Sequence, residues 1–131
     1  MYYFGGNDEY GPTPYGKAKG IYMKIGKAES PDGTNWMRKP GVLLDRGAAG
    51  DFDALFCGWP QVVDVTGIMK DARLAMYYHT FNVKTFGFEI GVATSRDGEL
   101  WSKRGPVTMT RGQPGSYRYE CHTCVHCHTY N

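Results

Sequence analysis

No apolar run in the chain approaches the roughly 18 residues that a membrane-spanning helix needs, so no membrane partner is expected. The opening residues, MYYFGGNDEYG, lack the basic and apolar regions of a signal peptide, so the chain reads as soluble and untargeted, with its compartment open. Basic runs are missing too. Fifteen Lys and Arg against 13 Asp and Glu leave a formal net charge of +2, scattered too thinly to neutralise a series of phosphates. Nucleic acid is therefore not an expected partner. Leu and Ala are few, which argues against a helical protein. Of the 4 Cys, all but Cys57 crowd the last eleven residues, so no spaced disulfide framework is present and the redox compartment is left open.

What is abundant points to strands. Aromatic residues make up 15% of the 131 positions and Gly, at 18, is the commonest residue. That combination favours extended segments joined by tight turns. The length suits one domain that buries roughly two thirds of its unfolded surface. A repeat dominates the pattern. At an offset of 65 residues, IGKAESPDGTNWMRKPGVLL from Ile25 aligns with IGVATSRDGELWSKRGPVTM from Ile90, with eight of twenty positions identical. Met1, Tyr2 and Tyr3 align with Met76, Tyr77 and Tyr78 at an offset of 75, because the first copy carries a loop ten residues longer.

The second copy predicts four strands in series: WPQVV (59–63), LAMYYHTF (74–81), FEIGVATS (88–95) and WSKRGPV (101–107). Asp97-Gly98 and Asp32-Gly33 suit tight hairpins, with Ser95 and Ser30 placed to bond turn amides and Trp101 and Trp36 to cover the hairpin ends. The recurrence of Asp32 and Asp97 argues for turn chemistry over catalysis. A four-stranded meander repeated in this way is a propeller blade. The expected fold is thus all-β: a partial β-propeller of about two four-stranded antiparallel blades over residues 1–107, the first without its innermost strand, then an irregular tail over 108–131. Because blades need neighbours, self-association through uncovered blade edges is expected. The tail offers Cys121, His122, Cys124, His126, Cys127 and His128 as zinc ligands by type. Their crowding does not match the two separated ligand pairs of structural zinc sites, and neither metal nor cofactor is expected.

The doubled SxDGxxW motif, each copy followed by a Pro-containing strand and preceded by MYY, resembles the five-bladed propeller superfamily of arabinanases, levansucrases and invertases, which includes glycoside hydrolase families 32 and 43. The resemblance covers residues 1 to 107. It implies a glycosidase-like segment acting on or binding carbohydrate of fructosyl, arabinosyl or xylosyl type, with inward carboxylates from different blades as acid and nucleophile or base. The alternative is a non-catalytic propeller that binds carbohydrate or protein. In the resembled families an acidic residue commonly precedes the Pro of an innermost strand. Gly58 and Trp59 stand there instead.

Asp51 and Asp53 are then the carboxylates nearest the expected cavity, as catalytic candidates or as turn caps and solvated charges. Trp59 is the substrate-binding candidate, able to stack on a sugar ring or to pack between blades. His79 titrates in the range of an acid or base but sits on a strand away from the axis. Glu89 reads as a solvated strand residue, and Cys57, with no neighbouring His, as a buried thiol.

Overall fold

A computed structural model describes residues 1–13 and 15–108. They form β1 (Tyr2–Gly5), β2 (Tyr10–Thr13), β3 (Gly16–Lys19), β4 (Lys24–Glu29), β5 (Met37–Arg38), β6 (Gly58–Asp64), β7 (Leu74–Asn82), β8 (Gly87–Ser95) and β9 (Ser102–Pro106), with no helix among the described residues. All pairings are antiparallel. The second copy of the repeat folds as a four-stranded sheet in the order β6-β7-β8-β9, and the first as a three-stranded sheet in the order β1-β4-β5. The ten extra residues of the first copy accommodate the β2-β3 hairpin, a small sheet of its own.

Register shows that the repeat is physical. Tyr2 pairs with Lys27 and Tyr3 with Gly26, as Tyr77 pairs with Val92 and Tyr78 with Gly91. The second Tyr of each pair lies across its glycine: a Cβ on Gly26 would sit 2.6 Å from the Tyr3 ring, and one on Gly91 2.3 Å from the Tyr78 ring. Cross-strand aromatic cover of this kind pins a register, because a one-residue slip turns the ring to the other face.

The Asp-Gly turns use the same atoms twice. Ser30 Oγ accepts the Gly33 amide at 2.9 Å and Ser95 Oγ accepts the Gly98 amide at 2.8 Å. Asp32 Oδ1 takes the amides of Thr34 and Asn35, and Asp97 Oδ1 those of Glu99 and Leu100, all between 2.8 and 2.9 Å. Gly33 and Gly98, at φ 73° and 78°, supply the left-handed step that a side chain would resist. One strand is shorter than its sequence suggests. WMRKPGVLL pairs only at Met37–Arg38, then again through an isolated bridge from Leu44 to Ile25. Pro40 brings no amide to the ladder and Gly41 turns left-handed at φ 87°, which interrupts the run.

The two larger sheets share one core. Ile25 and Leu44 of the first copy and Cys57, Met76, Tyr78 and Ala93 of the second are buried together, with Tyr2, Phe4, Val62 and Trp101 packed around them. Burying side chains the size of Ile25 or Met76 contributes about 1.5–3 kcal/mol each. Trp101, from the hairpin end of the four-stranded sheet, meets the Tyr2 ring edge-on at 5.8 Å, and Lys27 pairs with Glu99 across the same seam. The Cys/His-rich segment lies outside the described residues, as does nearly all of the tail over 108–131.

Candidate functional site

The acidic candidates fall in the loop that leads into β6, and they have different surroundings. Asp51 is exposed and caps a local turn, its Oδ2 accepting the Ala48 amide at 2.8 Å. Asp53 is buried, its side chain only 2% exposed. Its Oδ2 accepts the Tyr78 hydroxyl at 2.8 Å and Lys103 Nζ at 2.6 Å, with the Cys57 thiol 3.7 Å away. The loop brings the two carboxylates together around Gly47, where a Cβ would lie 2.2 Å from Asp53 Oδ1 and 2.9 Å from Asp51 Oδ2. Glycine is what lets the chain pass between them.

Burial, then the hydrogen bond to Asp53 and its charge, holds the Tyr78 phenol well above its ordinary range. Burial likewise pushes the Cys57 thiol up to about 12, outweighing the nearby Lys103. A thiol so placed is no nucleophile near neutrality. In this setting Asp53 ties the loop to β7 and β9, with its charge answered by Lys103, whose side chain is 28% exposed.

Trp59 stands apart from that node. Gly58 pairs with His79 and Gln61 with Tyr77, so Trp59 and Pro60 together oppose the single residue Tyr78 in a β-bulge. Pro60 has no ladder donor to give, which is why the strand breaks register here. The bulge leaves Trp59 at φ 47°, a left-handed conformation that costs a non-glycine residue about 1–2 kcal/mol. Its ring is held by Phe4 at 4.7 Å, Phe56 at 5.9 Å and His79 at 6.1 Å, yet the residue stays 50% exposed.

That ring forms part of an open groove of about 420 Å³ lined by Tyr2, Tyr3, Phe4, Trp59, Pro60, Gln61, Tyr77 and His79. Flat apolar faces with a few polar tips are the surface a sugar ring recognises, one face by stacking and its hydroxyls by hydrogen bonds. None of these lining residues is acidic, so the groove by itself carries no acid and nucleophile pair for cleaving a glycosidic bond.

The sequence pointed to Trp59 and His79 singly. It did not bring Tyr2, Tyr3, Phe4, Gln61 or Tyr77 to the same groove, although the doubled MYY was visible, because that depends on β1 lying beside β6. Nor did it pair Asp53 with Tyr78 and Lys103. Glu89 accepts from Asn82 Nδ2 and Thr85 Oγ1, both at 2.9 Å, on the partly exposed β7-β8 hairpin. Among the described residues no cluster of His, Cys, Asp and Glu could hold a metal. Comparison with family models, with curated proteins and with solved structures finds no match to the chain.

Proposed function

We propose that this chain is a glycoside hydrolase-like propeller segment that binds carbohydrate, with Trp59 as the stacking platform in the groove beside β6. The observation that carries the reading is Trp59 itself: a half-exposed indole held in a strained backbone conformation, braced on three sides and surrounded by further aromatic rings. Strain kept at an exposed aromatic is a mark of binding sites, since packing alone would favour a relaxed and buried ring. Gln61 and His79 add polar atoms beside it.

Binding without cleavage is the form of this proposal that the geometry favours. Asp53 spends its charge on Lys103 and Tyr78, and Asp51 caps a turn, so neither lines the groove. The catalytic form needs carboxylates presented from further sheets.

The test is calorimetric titration with arabinan, fructan and xylan oligosaccharides, before and after Trp59→Ala. Saturable binding of at least one of them is expected, weakened roughly tenfold or more by the substitution. Heat-free titrations with all three, or an unchanged affinity in Trp59→Ala, would remove the carbohydrate reading. Sugar release that vanishes in Asp51→Asn would establish the catalytic form instead.

A further inference from the structure

The seam between the two larger sheets is built from residues that the sequence repeats. On one side, Met76, Tyr78, Ala93 and Trp101 of the four-stranded sheet pack with Gly91 against the three-stranded sheet. The repeat maps these five onto Met1, Tyr3, Ala28, Trp36 and Gly26, identical at every position. Side chains alternate along a strand, and Tyr2, beside Tyr3, meets Trp101. The face bearing Tyr3, Gly26 and Ala28 therefore points away from the four-stranded sheet. There Met1 and Trp36 are 52% and 40% exposed, and Arg38, paired with Ala28, is exposed beside them. The fold thus displays a duplicate of a surface that it already buries once.

The receiving surface is duplicated as well. Tyr2, Phe4, Ile25 and Lys27 accept the four-stranded sheet, and they correspond to Tyr77, His79, Ile90 and Val92 on that sheet's other side. Tyr77, Ile90 and Val92 are partly exposed there, while their neighbours Tyr78, Gly91 and Ala93 are buried in the seam. Within the chain Lys27 pairs with Glu99, and their equivalents Val92 and Thr34 are both uncharged, while Arg38, the equivalent of Lys103, lies over the Tyr3 ring.

From this twofold complementarity we propose that a second copy of this chain docks head to tail, its Tyr77, Ile90 and Val92 seated on the Met1, Tyr3 and Trp36 face of the first. The contact repeats the seam inside the chain. It joins two different patches, so every dimer keeps one free patch of each kind, and growth continues until a ring closes or a filament forms.

Sedimentation velocity of the full chain over a range of concentrations tests this. Association beyond the dimer is expected. Trp36→Glu should disable one patch and Val92→Glu the other, each raising the dissociation constant by roughly tenfold or more. Mixed in equal amounts, the two variants still hold one intact patch of each kind, and they should form a dimer and nothing larger. Near-UV circular dichroism checks that each variant is folded. Should Val92→Glu unfold, Ile90→Lys replaces it, since Ile90 lies partly exposed on the same patch. A wild-type chain that stays monomeric throughout overturns the proposal, as do single variants that associate like wild type. So does a mixture that remains monomeric, which would mean a symmetric contact or cover by residues 109–131.

Discussion

Asp53 is a carboxylate held out of water by a phenol from β7 and an ammonium from β9. Removing the ammonium leaves the buried charge with the Tyr78 hydroxyl but no counter-ion, which costs far more than the pair gains over a neutral replacement. Lys103→Met is therefore expected to lower the free energy of unfolding by about 3–5 kcal/mol in urea titrations. Adding Asp53→Asn should return part of that loss. A cost below about 1 kcal/mol would show that water reaches the node and screens it. The sequence presented Asp53 as a carboxylate near a strand start. Its partners lie 25 and 50 residues away in the chain, beyond the reach of any local pattern. Trp59 was legible as a candidate for stacking on a sugar ring or for packing between blades. Its strain was not, because that follows from how Pro60 disrupts the pairing of β6 with β7.

At the scale of the element, the two Asp-Gly turns are the parts most fully written in the sequence. Backbone amides, from Asn35 for Asp32 and from Leu100 for Asp97, hold both carboxyls below the ordinary carboxylate range. The folded value lies under the unfolded 3.8, so each contribution is complete above that pH and is lost as pH falls through the folded value. Thermal melts should then place Asp97→Ala below wild type near neutrality. The gap should be steady from about pH 8 to 5 and narrow below about pH 4. A gap that widens on acidification would mean that the turn carboxyl is not held by those amides. The strands of the second copy lie within about two residues of their predicted bounds, because alternation and turn residues set them locally. Pro40 and Gly41 shortened β5, a breaker effect to which the repeat itself gave no clue.

On the scale of the whole molecule, the two larger sheets have no separate cores. Ile25 and Leu44 share theirs with Met76, Tyr78 and Ala93, and the Cys57 amide bonds the Met23 carbonyl across the sheets at 2.9 Å. They should unfold as one unit. Cys57 reports on this, being wholly buried with its thiol near 12. In urea at about pH 8, alkylation of Cys57 is expected to follow the same midpoint as far-UV circular dichroism. Labelling at clearly lower urea would show that the sheets part before they unfold.

By itself the sequence determined the all-β class, the repeat, the order of strands in the second copy and the chemistry of both hairpins, because these rest on residues a few positions apart. Only the tertiary structure decided that Asp53 is buried while Trp59 is not, that β1 completes an aromatic groove along β6, and which half of the repeated surface is covered. Burial and neighbourhood depend on how distant strands pack, and no spacing along the chain encodes that on its own.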